Sequence, residues 1–131
     1  MAAEIVADSS ALLAYVFGEP GAHMVEPWLS RQAICASTVN IAETVSKLVV
    51  KGASPSTAWT HIQMLEIKPI DFNLAVAQAA CEFAVLGKTH GISFADRACV
   101  ATALVLKLPM LTADRLWRDA FPSSLDIRLI R

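Results

Sequence analysis

The chain has few charged residues and no long uninterrupted apolar run. Charged residues make up 18% of its 131 positions, and the apolar set AVILMFWYC makes up 55%. Disordered chains are polar and highly charged, so this composition excludes extended disorder. The longest stretch without Asp, Glu, Lys or Arg is residues 52–65, too short for a membrane span, which needs about 20 mostly apolar residues. The apolar excess must therefore fill a large core or a contact with a protein partner.

An excess of positive charge is also lacking. Eleven Lys and Arg residues against 12 Asp and Glu give a net charge of −1, and the pI is about 6.3. Domains with a broad basic surface for nucleic acid usually have a pI above about 9. A broad basic platform is therefore not expected, although this does not exclude a local site.

Cysteine is rare and scattered along the chain. Cys35, Cys81 and Cys99 are far apart, odd in number and set among apolar residues. This pattern indicates reduced thiols packed in the core rather than a disulfide framework. The first ten residues have neither a basic segment nor a long apolar run, so no secretory signal is expected. Together these features predict a cytoplasmic protein.

Short apolar runs alternate with helical patterns along the whole chain. The alternation favours a single α/β domain with a parallel sheet covered on both faces by helices. Pro69 favours an edge position for the third strand, and Gly52 and Gly87 are predicted to end helices. The predicted strands are 5–7, 33–36, 66–70, 110–112 and 127–130. The predicted helices are 9–17, 23–31, 38–51, 54–65, 74–86, 93–107 and 115–120.

Four acidic residues are placed where a site can form. Asp8 ends the first strand, Glu43 lies early in the helix after the second strand, and Asp114 follows the fourth strand. Ligands of open parallel sheets bind outside the carboxyl ends of the strands, and these three residues fall at that edge. Asp96 joins them if the helix that starts at residue 93 begins at the same edge.

Each of these carboxylates also has a simple structural explanation. Residues 93–96 and 40–43 have the spacing of a capping box, and Asp8 and Asp114 precede helices that they can cap. Capping explains the residues singly but not as a group. Four clustered carboxylates in apolar surroundings would repel one another, and they require a cation or raised pKa values.

A cluster of carboxylate oxygens without nearby His or Cys suits Mg²⁺ or Mn²⁺. Such an ion can activate water and stabilise charge on a phosphate, which predicts metal-dependent phosphodiester hydrolysis. The hydroxyls of Ser10 and Thr112 could orient the carboxylates, or could simply be turn and strand-end groups. Arg97, Arg115 and Arg118 lie beside the acids and could contact RNA phosphates, or could only screen charge.

The chain resembles the PIN domain, and within it the VapC-type ribonuclease toxins, in four segments. These are VADSSALLAYVFGE at 6–19, ASTVNIAETVSKL at 36–48, GISFADRACVATALVLKLPMLTAD at 91–114, and the final strand. The resemblance covers essentially the whole chain, with the segments in the family's order and spacing. It implies a PIN-like fold with a five-stranded parallel sheet in the order 3-2-1-4-5, flanked by helices on both faces.

The resemblance also implies a function. The family's catalytic and metal-binding acids map onto Asp8, Glu43, Asp96 and Asp114, and its supporting hydroxyls onto Ser10 and Thr112. By this resemblance the protein is a Mg²⁺- or Mn²⁺-dependent endoribonuclease that cuts RNA, often tRNA or ribosomal RNA. It is expected to form a homodimer and to be held inactive by a cognate antitoxin protein.

Two other functions remain open at the level of sequence. The apolar excess also suits a non-catalytic PIN-like module that only binds a protein partner. An aspartyl-phosphate hydrolase would use Asp8 as its nucleophile, but that class typically has a second Asp two residues later, where this chain has Ser10.

Overall fold

Five short parallel strands form one sheet with the first strand at its centre. The computed structural model describes residues 2–131. The strand order is β3-β2-β1-β4-β5, and every neighbouring pair is parallel. This confirms the order that the family resemblance implies, and it places β3, with Pro69, at an edge. The strands are β1 (Ile5–Ala7), β2 (Ile34–Ser37), β3 (Lys68–Ile70), β4 (Met110–Thr112) and β5 (Ile127–Leu129).

Helices follow or connect the strands and cover the sheet. Within residues 2–131 they are α1 (Ser9–Phe17), α2 (Ala22–Ser30), α3 (Thr38–Val50), α4 (Pro55–Gln63), α5 (Leu74–Cys81), α6 (Ala84–Thr89), α7 (Phe94–Leu106) and α8 (Leu116–Ala120). In the part of the chain that the structure describes, none of them has the length and apolar character that crossing a membrane requires.

The sheet separates two hydrophobic clusters, because successive strand residues point to opposite faces. Ile5 and Ala7 of β1 pack in the cluster that includes residues of α1 to α4. Val6, between them, packs in the cluster formed with α7 and α8. Burial on both faces explains why the three central strands, β1, β2 and β4, lack an alternating pattern of apolar and charged residues. Much of the apolar excess in the composition therefore lies in these two cores.

The predicted helix over 74–86 is wrong, because the structure has two helices there and Gly87 lies inside α6. At the break, the backbone N–H of Phe83 donates to the carbonyl of Ala80 at 3.2 Å, three residues back. Such a bond tightens the helix at its end. The Phe83 ring packs edge-on against Phe121 with centroids 5.4 Å apart. A tertiary contact of this kind leaves no mark in the local apolar pattern.

Only two of the three cysteines lie in the core. Cys35 and Cys99 are buried, but Cys81 is exposed at the end of α5. Helix α5 buries only Val76 and Ala80, and the residue after Ala80 points about a quarter-turn away from that face. The prediction of a core position is therefore wrong for Cys81.

Thiol labelling should distinguish Cys81 from the other two cysteines. Burial raises the pKa of Cys35 to about 11 and raises the pKa of Cys99, so neither forms the reactive thiolate readily. A chromogenic disulfide reagent should modify one thiol per folded chain and all three after denaturation. Cys81→Ser should remove the rapid reaction. Fast labelling of two or more thiols in the folded protein would contradict the buried positions.

Gly21, in the turn between α1 and α2, has no room for a side chain. Its φ is +95°, and a Cβ there would lie 2.6 Å from the Ile130 carbonyl oxygen. Gly52 has a φ of +117° but open space around it. Gly52→Ala should cost about 1–2 kcal/mol through backbone strain alone, and Gly21→Ala about 1–3 kcal/mol more through the added clash. Urea unfolding measures both values, and equal costs would mean that the Gly21 turn relaxes away from Ile130.

Candidate active site

Asp8 lies at the carboxyl end of β1 and is held by a dense set of hydrogen bonds. One carboxylate oxygen accepts the backbone N–H of Ala11 at 2.9 Å, which caps α1. The Ser10 hydroxyl lies 2.7 and 2.9 Å from the two carboxylate oxygens, and the Thr112 hydroxyl donates to Oδ2 at 2.7 Å. The side chain is therefore fixed in one orientation at the central strand of the sheet.

Burial changes the titration of Asp8. The residue is only 2% exposed, and burial raises its pKa from 3.8 to about 6. Hydrogen bonds from Ala11, Thr112 and Ser10 lower the pKa, and the charge on Asp96 raises it further. The site thus holds a carboxylate whose ionised form is disfavoured unless a positive charge is supplied.

Asp96 lies in the first turn of α7, and the predicted capping box there is confirmed. The backbone N–H of Ser93 donates to Asp96 Oδ2 at 2.9 Å, and the backbone N–H of Asp96 donates to Ser93 Oγ at 3.0 Å. Burial raises the pKa of Asp96, and the charges on Asp114 and Glu43 raise it further. Asp96 therefore caps its helix and also interacts with the other three carboxylates.

Glu43 is not part of a capping box, so that explanation is wrong for residues 40–43. Helix α3 begins one residue after β2 ends, and its cap is Ser37, whose hydroxyl accepts the backbone N–H of Val39 at 3.2 Å. Glu43 consequently lies in the second turn of α3. Its carboxylate accepts a hydrogen bond from the Ser9 hydroxyl of α1, so it reaches the start of the helix that Asp8 caps.

Asp114 follows β4 and is linked to Asp8 through Thr112. The backbone N–H of Asp114 donates to Thr112 Oγ1 at 3.1 Å, and the same hydroxyl donates to Asp8. Asp114 Oδ1 accepts the backbone N–H of Leu116 at 3.0 Å, which supports the start of α8. All four predicted carboxylates therefore lie at the carboxyl edge of the sheet.

The four carboxylates have no basic partner among residues 2–131. Arg97 instead bonds to the Ser93 carbonyl at 3.4 Å and lies over the Phe94 ring, 5.9 Å from its centroid. Arg115 donates to the Arg131 carbonyl at 3.1 Å. The ion pairs of the described residues are Arg31–Glu4, Arg128–Asp126 and Arg131–Glu19. None of the four carboxylates is thus within ion-pair distance of a Lys, Arg or His side chain in this part of the chain.

The donor chemistry of the site suits a hard divalent cation. Its groups are carboxylate and hydroxyl oxygens, which Mg²⁺ and Mn²⁺ prefer over softer metals. A bound cation would relieve the mutual repulsion of the carboxylates and favour the ionised forms of Asp8 and Asp96, whose pKa values are raised. Within residues 2–131, no three His, Cys, Asp or Glu side chains already surround a common point at metal-binding distances. As they stand, one or two of these carboxylates could ligate a cation directly, with water completing its coordination, as is usual for Mg²⁺.

Asn40 is a buried site residue that sequence reasoning placed only in a capping box. Its Nδ2 donates to the Ala95 carbonyl at 3.0 Å, next to Asp96, and so ties α3 to the first turn of α7. Its Oδ1 has no hydrogen-bond partner among the described residues. Asn40 therefore fixes the spacing between the helices that carry Glu43 and Asp96, a contact across 55 residues that no local motif reveals.

The family model described as the PIN domain matches residues 5–120 of the chain. The chain belongs to the PIN domain family. A comparison with curated proteins found no significant match.

Solved structures share the fold of this PIN domain at low sequence identity. VapBC2 from Rickettsia felis, bound to a DNA fragment from its promoter, has a TM-score of 0.73 at 15% identity, over 98% of both chains. VapBC-1 from nontypeable Haemophilus influenzae has a TM-score of 0.72 at 17% identity, over 99% of this chain and 98% of that one. FitAcB from Neisseria gonorrhoeae has a TM-score of 0.68 at 22% identity, over 96% and 97%.

Proposed function

We propose that this PIN domain is a Mg²⁺- or Mn²⁺-dependent endoribonuclease and the toxin of a toxin–antitoxin pair. The observation that carries the nuclease proposal is the group of four carboxylates, Asp8, Glu43, Asp96 and Asp114, with no basic partner in the described chain. The toxin proposal is supported by the shared fold with VapBC complexes.

In this proposal the four carboxylates are both the metal ligands and the catalytic residues. A bound cation would activate water and offset charge on the phosphate as the P–O bond breaks. The Ser10 and Thr112 hydroxyls hold the Asp8 carboxylate in place, so it need not reorganise when charge develops. The Ser9 hydroxyl does the same for Glu43.

The proposed partners are RNA, a cognate antitoxin and a second copy of the chain, in the cytoplasm. The RNA is a tRNA or ribosomal RNA. Large apolar side chains remain exposed on α3 and α4 or beside them, which supports a protein partner. They are Val50, Trp59 and Met64.

RNA cleavage by the purified protein tests the nuclease proposal. The unaltered protein with Mn²⁺ should cut total RNA at discrete positions, found by sequencing the new ends, and EDTA should stop the reaction. Asp96→Asn should reduce the rate by more than about 10–100-fold, the usual cost of disturbing even an outer-shell residue of a metal site. Asn keeps an acceptor for the Ser93 N–H, so the start of α7 should be preserved.

Asp126→Asn is the matched control, because Asp126 is exposed just before β5, at the edge of the sheet opposite the carboxylates, and should be dispensable. Calorimetric titration with Mn²⁺ gives a second readout that needs no RNA. No cleavage, together with Mn²⁺ binding equal in the unaltered protein and in Asp96→Asn, would contradict the proposal. That result would favour the non-catalytic module that binds a protein partner.

A further inference from the structure

We propose that single-stranded RNA reaches the carboxylates along one basic face of the protein, formed by two cavities that share Arg131. This inference rests on the proposed nuclease function and names the surface that holds its substrate. We call this surface the basic face and define it by Phe17, Lys47, Lys51, Arg115, Arg118 and Arg131.

The first cavity joins the carboxylate site to an aromatic and two lysines. It has a volume of about 830 Å³, and Ser10 and Glu43 form part of its wall. Lys47 and Lys51 of α3 line it, together with Phe17 of α1. Phe17 is 42% exposed, and the Lys51 ammonium lies 5.8 Å from its ring centroid. An exposed ring beside cations suits a stacked base with its phosphate close by.

The second cavity shares Arg131 with the first, and three of its eight lining residues are arginines. Its volume is about 590 Å³, and its walls include Arg115, Arg118 and Arg131, with Asp119 as their acidic neighbour. Arg131 is held through both its guanidinium group and its backbone carbonyl. Its Nη1 donates to the Pro20 carbonyl at 2.9 Å, and its own carbonyl accepts from Arg115 Nε at 3.1 Å. This guanidinium is therefore held in place where the cavities meet.

The distribution of charge favours RNA as the occupant. Five of the 11 Lys and Arg residues line these two cavities, and of the five only Arg131 takes part in an ion pair among residues 2–131. A polyanion that must approach an acidic site needs such cations beside it. Three acidic residues, Glu19, Glu43 and Asp119, also line the cavities, so five cations against three acids leave a local excess of two positive charges. Arg97, which also lies beside the acids in the sequence, lines neither cavity.

Salt-dependent RNA binding tests the basic face. All variants are made in the Asp96→Asn protein, so that bound RNA stays intact, and a labelled single-stranded RNA is titrated by fluorescence anisotropy at several salt concentrations. Lys51→Ala and Arg118→Ala should each weaken binding and reduce the slope of log K against log salt by about 0.7, the value for one phosphate contact in a single strand. Phe17→Ala should weaken binding by about 5–150-fold with the slope unchanged, since stacking carries no charge.

Arg128→Ala is the control, because Arg128 is paired with Asp126 and lies outside both cavities. It should bind RNA like the parent protein. The inference is overturned if Lys51→Ala and Arg118→Ala keep the RNA affinity and the salt slope of the parent protein. It is also overturned if these substitutions weaken binding to a protein partner but leave RNA binding unchanged. Cleavage by the unaltered protein together with that result would leave the nuclease proposal standing. Binding with the expected slopes but no cleavage would contradict the nuclease proposal and support the face.

Discussion

Asp8→Asn is expected to make the metal-free protein more stable while it abolishes RNA cleavage. The folded protein raises the pKa of Asp8 from 3.8 to about 6, so the fold disfavours the ionised carboxylate. The neutral acid is tolerated at low pH, and stability is lost as the pH rises through the interval between these two values. Above pH 6 the cost is about 3 kcal/mol, and a neutral Asn avoids it while keeping an acceptor for Ala11.

Urea unfolding in EDTA at about pH 4 and about pH 8 measures this effect. The increase in the free energy of unfolding caused by Asp8→Asn should be small at the lower pH and reach up to about 3 kcal/mol at the higher pH. Asp119→Asn, at an exposed position, should show no such difference. Destabilisation by Asp8→Asn at both pH values would mean that the hydrogen bonds of the carboxylate outweigh the cost of burying its charge.

Added Mn²⁺ should reverse the order of stability, so that the unaltered protein becomes more stable than Asp8→Asn. A ligand that binds only the folded state stabilises it in proportion to ln(1 + [L]/Kd). The unaltered protein should therefore gain stability with Mn²⁺, and Asp8→Asn should gain little. Asp8→Asn should also reduce cleavage far more than Asp126→Asn, whose carboxylate is exposed at the opposite edge of the sheet. An equal response of both proteins to Mn²⁺ would contradict the role of Asp8 as a ligand.

Trp117→Ala should be among the most destabilising single changes in the core. Trp117 is fully buried on α8 and packs edge-on against Phe121 with centroids 5.6 Å apart. Truncating a buried Trp to Ala costs about 3–5 kcal/mol through lost contacts and the cavity left behind. Leu116→Ala, one residue earlier and 60% exposed, should change the free energy of unfolding by less than about 0.5 kcal/mol.

Trp117→Phe distinguishes the contribution of the aromatic ring to stability from the cost of burying the indole N–H group. Trp117 Nε1 is buried without a hydrogen-bond partner among the described residues. Replacing it with Phe removes this unpaired donor, which itself costs about 1–3 kcal/mol to bury, and Phe can retain an edge-on contact with Phe121. Urea unfolding should therefore rank the variants with Trp117→Phe well above Trp117→Ala. Equal losses of unfolding free energy in Trp117→Phe and Trp117→Ala would show that a smaller ring cannot replace the packing of the indole.

The strand runs and the acidic positions could be predicted because they follow from local chemistry. Strands buried on both faces leave continuous apolar runs such as residues 5–7, and Asp8 marks the point where the central run ends. The strand order came from the family resemblance, since the apolar pattern does not specify which runs are neighbours. Ser93 and Asp96 form their box because both partners lie within one turn of the chain.

The errors occur where distant contacts decide between local alternatives. The edge-on packing of Phe83 on Phe121 accompanies the break in the apolar stretch 74–86, and its partner is 38 residues away. Ser37, the last residue of β2, caps α3, so the helix begins before the position that a capping box at residues 40–43 would give it. The cation-rich cavities were predicted only in part: Arg115 and Arg118 follow Asp114 closely in the chain, whereas Lys51 and Arg131 belong to separate segments.

The anchoring of Arg131 has a practical consequence for how the protein is produced. Any chain attached after Arg131 begins where the two cavities meet. A carboxyl-terminal affinity tag would therefore start beside the acidic site and, if basic, would add its own attraction for RNA. The strands are all parallel, so the chain enters β1 at the opposite edge of the sheet. A tag at the amino-terminal end keeps recombinant protein suitable for every binding measurement described above.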